Sequence, residues 1–260
     1  MSIIPYNFST PYNPFFALKI AYILSHSLDY LWGYVIIPNV FRFSAIQITP
    51  CHASDRNCLK SSAQRVVPLV ASGIPNLGMN SLDPMTVDQV RASQAGLDMD
   101  FRNTVVRGLR NCQVMDLRRL GHKTTLDLKC SVTLIGDYTL NGKLLVLPIK
   151  GDGRYKIQIR DIVVKVTFNV GERYSYGEKY WTVENWQHTA DVLGGVKFQF
   201  QNLFNGNRQL ADPVIEFANS NWHEIFQEVA PPIVKAIVSQ IITETTKLFD
   251  KVPIRQLALD

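Results

Sequence analysis

Through the middle of this chain apolar and polar residues alternate, and only toward the end does the apolar spacing become helical. Leu97, Met99 and Phe101 alternate with Asp98 and Asp100, which predicts a half-buried strand. Residues 105–117 continue in extended form, with Gly108 expected as a bulge. After a turn at Leu120-Gly121-His122 the alternation is long: Leu126, Leu128, Cys130, Val132 and Leu134, then Gly136 and Tyr138. Asn141-Gly142 is the strongest two-residue hairpin signal, and Gly151-Asp152-Gly153 reads as the next turn. Tyr155, Ile157 and Ile159 alternate, and Ile162, Val164, Val166, Phe168 and Val170 do so after them. Residues 171–177 read as a turn, and 180–183 and 196–200 as strands. One greasy face per strand predicts a large curved antiparallel meander with its apolar side turned toward something.

The object it faces is predicted at the carboxyl end, Asn221 to Asp250. Asn221 with Glu224 three residues on has the form of a capping box, followed by Trp222, Ile225, Phe226 and Val229 at helical spacing. Pro231-Pro232 must kink or restart the helix, since proline lacks the N–H and its ring strikes the preceding turn. Beyond it run two adjacent apolar rows, Ile233–Ile237–Ile241 and Val234–Val238–Ile242. A helix this apolar belongs inside a protein, and its apolar part is too short and too interrupted by charge to span a bilayer. A further helix is predicted over Asp55 to Ala71, capped by Asp55 and stopped by the run Gly73-Ile74-Pro75-Asn76-Leu77-Gly78. The fold class is therefore α+β: a curved antiparallel sheet around a long C-terminal helix, with an N-terminal helix beside it.

The 260 residues are 46% hydrophobic and 19% charged, enough to build a large core or to enclose a cavity. A formal charge of +5 with no basic run interleaved with aromatics argues against a nucleic-acid partner. The four cysteines, Cys51, Cys58, Cys112 and Cys130, suit an oxidising compartment. Cys51, His52 and Cys58 have ligating atoms, but no second ligand pair follows, so no metal is expected. A short Cys51–Cys58 disulfide is the preferred reading, contributing about 2.5 kcal/mol in the chain-entropy model. If the hairpin centres on Gly121, residues whose numbers sum to 242 face each other, and Cys112 and Cys130 do. A cross-strand disulfide is then available; the alternative is two buried thiols, because a one-residue slip would separate them.

Residues 1–50 stand apart. Pro5, Pro11 and Pro14 punctuate a polar start, and two apolar patches follow, 15–24 and 30–37, interrupted by Lys19, His26 and Asp29. Neither patch makes a clean membrane span or signal peptide, and no Ala-x-Ala cleavage site follows. This stretch is expected to be an atypical targeting segment outside the fold, and 51–260 the folded domain.

Motifs spread over 51–260 carry a resemblance. They are Cys51-x6-Cys58, 73–78 with Leu82-Asp83-Pro84, Val106-Arg107-Gly108-Leu109, and the run from Gly136 to Ile149. Asn202 to Asn207, Asn221-Trp222 and Val252-Pro253 complete the set. In this order they resemble the takeout and juvenile hormone-binding protein family of insect secreted proteins. The resemblance implies a long helix rolled in a strongly bent sheet, the half-barrel shared with lipid-binding relatives of the bactericidal/permeability-increasing protein. It implies an extracellular carrier whose internal tunnel holds a terpenoid, fatty acid or juvenile hormone-like molecule, with no cofactor. The Cys51–Cys58 pair matches the family's N-terminal disulfide. No cysteine follows Cys130, so the second disulfide of the hormone-binding members has no counterpart, which favours a takeout-like protein.

The expected tunnel wall comprises Val66, Val70, Ile74, Leu134, Phe168, Phe226, Ile233, Ile237 and Ile241. Tyr138 and Trp222 are expected to supply polar tips that orient the ligand. Each of the nine wall positions taken alone is better explained as plain core packing; the expectation rests on the set. An enzyme is not expected: no Gly-x-Ser-x-Gly or His-Glu-x-x-His accompanies His26, His52, His122, His188 and His223. The alternative is a membrane-surface or immune-type lipid binder. Arg107, Arg110, Arg118, Arg119, His122 and Lys123 gather at one hairpin and could meet anionic headgroups, although membrane association is not the expectation. A monomer is expected.

Overall fold

The computed structural model describes residues 48–259, which belong to one compact unit. The expectations for residues 1–47 lie outside the described residues. Ile48 and Thr49 already pack with the fold: Ser62 donates to the Thr49 carbonyl at 2.8 Å, and Ile48 touches the cluster around Leu77, Met79 and Leu248.

Six strands form one antiparallel sheet: β1 (Met85–Gln94), β2 (Leu97–Arg107), β3 (Gln113–Leu120), β4 (Lys123–Leu144), β5 (Leu147–Ser175) and β6 (Glu178–Phe200). The order is β1-β2-β4-β5-β6, with β3 also on β4, so β2 and β3 lie end to end along one edge of it. β5 has 29 residues, which laid straight would reach roughly 95 Å. It bends instead, and extra residues let it do so. Ile159 faces Val132 and Ile162 faces Cys130, so Asp161, with φ 52°, is extra on β5. That bulge is the switch from odd to even apolar positions seen in the sequence: the inner face stays apolar because the register shifts with it.

Among the described residues four α-helices accompany the sheet: α1 (Arg56–Ser72), α2 (Arg208–Ser220), α3 (Trp222–Val229) and α4 (Pro231–Lys251). Asp55 caps α1, accepting from the Cys58 N–H at 2.9 Å. The prolines split α3 from α4 at a 64° bend. α2 has no counterpart in the sequence reading. Its presence changes the role of Asn221, whose side-chain amide donates to the Phe217 carbonyl at 2.9 Å and so closes α2; no capping box forms at α3.

Two predicted turns are strand, and a third is shorter than expected. The hairpin between β4 and β5 turns at Leu145-Val146, with Leu145 at φ 53°, and Asn141-Gly142 runs on inside β4. Gly142 has φ 133°, and a Cβ there would strike the Gly96 carbonyl, so glycine admits the neighbouring hairpin rather than making one. Gly151 lies inside β5 for a similar reason: its missing Cβ leaves space for Leu203, where the chain returns after β6. Gly171 is paired with Thr182, so the turn expected over 171–177 is confined to Tyr176-Gly177 between β5 and β6, and β6 is continuous through 184–195. Gly108 is a corner between β2 and β3, followed by a short turn of 3-10 helix, rather than a bulge in one long strand.

Both disulfides form, Cys51–Cys58 and Cys112–Cys130 with Cα atoms 5.8 and 4.4 Å apart. The second follows the register that pairs Gln113 with Lys129 and Val114 with Leu128. Far along the chain, Glu244 of α4 ties the rod to the turn after α1. Its carboxylate accepts from the Asn80 backbone N–H at 2.7 Å and from Lys247 at 2.8 Å, and the residue is 4% exposed.

Burial raises the Glu244 pKa, but the Lys247 ammonium and the Asn80 N–H outweigh it and hold the group below the ordinary glutamate value. A folded-state pKa below the unfolded one stabilises the fold above the unfolded pKa, and that stability is lost as pH falls through the folded value. Glu244→Gln should therefore cost roughly 2 kcal/mol at neutral pH. The difference from wild type, read by urea denaturation, should shrink below about pH 4.3 and vanish once Glu244 is protonated.

Candidate functional site

Inner-face side chains of the sheet do not meet α4 everywhere. Between them lies a cavity of about 420 Å³. β4 contributes Leu126, Leu128, Val132, Leu134, Leu140 and Leu144, so the lining runs along most of that strand. β5 adds Ile157, Ile159, Ile162, Val164, Val166 and Phe168. α1 closes one side through Val66, Val67 and Val70, and the α3–α4 pair closes another through Phe226, Val229, Ile233, Ile237 and Ile241. Leaving space here follows from shape: branched aliphatic side chains on a curled sheet and on a straight helix cannot interdigitate along the whole length.

Eight of the eleven expected wall residues line this cavity: Val66, Val70, Leu134, Phe168, Phe226, Ile233, Ile237 and Ile241. Three lie elsewhere. Ile74 packs in the separate cluster around Leu77, Met79 and Leu248. Trp222 stands on the first turn of α3, where its ring lies 3.9 Å from the position a Cβ on Gly195 would take. Tyr138 is fully buried and its hydroxyl donates to the Gln201 carbonyl at 2.6 Å, with its ring edge-on to Phe200 at 4.8 Å. It locks the strand return after β6 and does not point a polar tip at a ligand.

Tyr138 belongs to an aromatic cluster beside the cavity, to whose wall Phe101 and Phe200 contribute. Phe101 meets Tyr155 edge-on at 4.9 Å, and Tyr155 stacks with Phe200 at 6.1 Å. The Tyr155 hydroxyl shares a 2.7 Å hydrogen bond with Thr104. Burial pushes both tyrosine hydroxyls up to about 12, so they stay neutral at physiological pH.

Polar groups on the cavity wall are few, and most are engaged. Ser62 donates to Thr49, and the Thr245 hydroxyl donates to the Ile241 carbonyl at 2.8 Å. The sequence reading overlooked two others. Arg119 and Trp181 both line the cavity, with the guanidinium carbon 4.6 Å from the indole ring centroid. Trp181 in turn sits edge-on to Phe249 of α4 at 5.6 Å. Arg119 belongs to the basic hairpin group by sequence but faces the cavity. Of that group Arg118 pairs with Asp116 at 2.9 Å, the Arg110 guanidinium donates to the Asp83 backbone carbonyl at 3.3 Å, and His122 hydrogen-bonds the Val170 carbonyl at 3.1 Å.

Among the described residues no group of three His, Cys, Asp or Glu side chains is placed to hold a metal ion. Among them, too, no single helix is long and apolar enough to cross a membrane; only the bent pair α3 and α4 passes when taken together, and its apolar side chains line the cavity.

Known proteins share this architecture. The family model for haemolymph juvenile hormone binding protein matches residues 36–259. The circadian clock-controlled protein daywake of Drosophila melanogaster is 25% identical over 218 residues, 78% of this chain and 84% of that protein. Its counterpart in Drosophila yakuba is 25% identical over 203 residues, covering 72% and 77%. The crystal structure of Epiphyas postvittana takeout 1 superposes with a TM-score of 0.79 at 26% identity, covering 81% of this chain and 99% of that one.

Because Tyr138 bonds the strand return and not the cavity, Tyr138→Phe should lower stability by about 1 kcal/mol in urea denaturation. The variant should keep wild-type affinity for any apolar probe that occupies the cavity. A large affinity change with unchanged stability would reverse that assignment.

Proposed function

The chain belongs to the haemolymph juvenile hormone binding protein family, and on that premise we propose that it carries a small lipophilic molecule in the cavity between sheet and C-terminal helix. The family consists of non-enzymatic binding proteins with hydrophobic ligands. The observation that carries the reading is the cavity itself, about 420 Å³ and lined almost wholly by aliphatic and aromatic side chains. That volume lies within the range of about 300–1,000 Å³ typical of small-molecule sites. A terpenoid, a fatty acid or a juvenile hormone-like ester has the required chemistry.

The physics suffices without catalysis. A ligand that buries about 400 Å² of apolar surface gains on the order of 10 kcal/mol before association costs. What remains corresponds to micromolar to nanomolar affinity, enough for a carrier. Exposed to water, the same wall would have no favourable surface to meet, so the guest and the cavity solve each other's solvation problem. Both disulfides suit an oxidising compartment, and secretion is part of the proposal.

Titrating the protein with a fluorescent fatty acid should give saturable binding. Ile237 sits on α4 facing the cavity, so Ile237→Trp fills the space with apolar volume and should weaken binding at least tenfold without lowering the melting temperature. Undiminished binding by that folded variant would place the lipid somewhere other than this cavity.

A further inference from the structure

Arg119 and Trp181 each hold a buried donor with nothing to donate to. The Arg119 Nε and the Trp181 Nε1 are buried without a hydrogen-bond partner among the described residues. Two cavity-facing hydroxyls, those of Ser62 and Thr245, donate to carbonyls. Arg119 also differs from the arginines around it. Arg56 and Arg118 both pair with Asp116, at 2.6 and 2.9 Å. No described carboxylate lies within ion-pairing distance of Arg119, whose one close partner is the face of Trp181.

The placement is built into the register. A shift between Val114 and Asp116 puts Arg119 opposite Thr124, so both side chains share the inner face of the sheet. Without that shift Arg119 would face Lys123 on the outside. The protein thus turns the Arg119 Nε inward at an otherwise apolar cavity, where a buried donor without an acceptor is disfavoured, while the residue keeps part of its surface in solvent.

We propose that this part of the cavity receives the carboxylate of a lipophilic acid, so that the preferred cargo is a free acid and not its ester or alcohol. This rests on the carrier reading above. The guanidinium presents a planar fork that matches a carboxylate, and stacking on the indole holds the plane of that fork. The indole N–H gives a second donor beside it. The hydrocarbon tail then runs from Phe168 and Phe249 along the aliphatic wall. A neutral ester would accept a hydrogen bond but leave the cation without a counter-charge.

The test compares cis-parinaric acid with its methyl ester on the full chain at neutral pH, by fluorescence titration. Wild type should bind the acid at least tenfold more tightly, the worth of one hydrogen bond to a charged group. Arg119→Met should lose that advantage and keep its affinity for the ester, and Trp181→Phe should weaken the acid severalfold. Equal wild-type affinity for acid and ester overturns the carboxylate site while leaving the carrier reading intact, as does an Arg119→Met variant that binds the acid undiminished. Failure of wild type to bind either lipid overturns both. If Arg119→Met does not fold, the wild-type ratio of acid to ester affinity decides alone.

Discussion

The structure depends on keeping one face of three very long strands out of water. β4, β5 and β6 have 22, 29 and 23 residues, several times the usual five or six. Side chains alternate strictly, so a single uncompensated slip would turn the whole remaining apolar face outward. Each irregularity is therefore matched by a change of parity in the sequence. At Asp161 the odd series ending in Ile159 gives way to the even series from Ile162, and both series face inward. Between Arg102 and Val105 the same exchange lets Phe101 and Val106 share the core. The bulges bend the sheet, and the bend is what lets it curl around a helix.

A curled sheet and a helix pack imperfectly, and the imperfection is distributed unevenly. Around Tyr138 and Tyr155, aromatic rings and two satisfied hydroxyls fill the interior. Where the facing groups are mostly Val, Ile and Leu, space remains. Void and plug thus arise from side-chain choice on a common backbone. Members of the family with different residues at these positions would differ in the length and shape of the space without any change of architecture.

Much of this was legible. Alternation marked β2, β4, β5 and part of β6, the double proline marked the α3–α4 bend, and the hairpin at Gly121 placed Cys112 opposite Cys130. Glycine misleads at Gly142 and Gly151, which read as turns, whereas the turn expected over 171–177 does hold the β5–β6 reversal at Tyr176-Gly177. Gly142 and Gly151 sit within strands, where the missing side chain makes room for neighbouring backbone. The true turn, Leu145-Val146, has no turn residues at all. α2 was missed, and with it the role of Asn221. Tyr138 fitted the alternation yet bonds to Gln201, a partner 63 residues away that no periodicity reveals. Arg119 was hidden by the shift near Met115: the simple sum of 242 pairs it with Lys123, and only a sum of 243 brings it inside. The inward alternation of Leu117 and Arg119 after that point was the available clue.

A half-barrel has rims, and side-chain amides hem them here. Gln64 of α1 accepts from the Val114 N–H at 2.7 Å and donates to the Cys112 carbonyl at 3.1 Å, as a neighbouring strand would. Asn219 of α2 does the same to both backbone groups of Phe198, and Gln240 of α4 donates to the carbonyl of Thr86. Each stitch occupies the donors and acceptors that a foreign strand would need in order to graft on. An unclosed sheet of this length thus offers an incoming strand fewer open backbone groups along its borders, and the amides that hem it lie on the helices and not on the cavity wall.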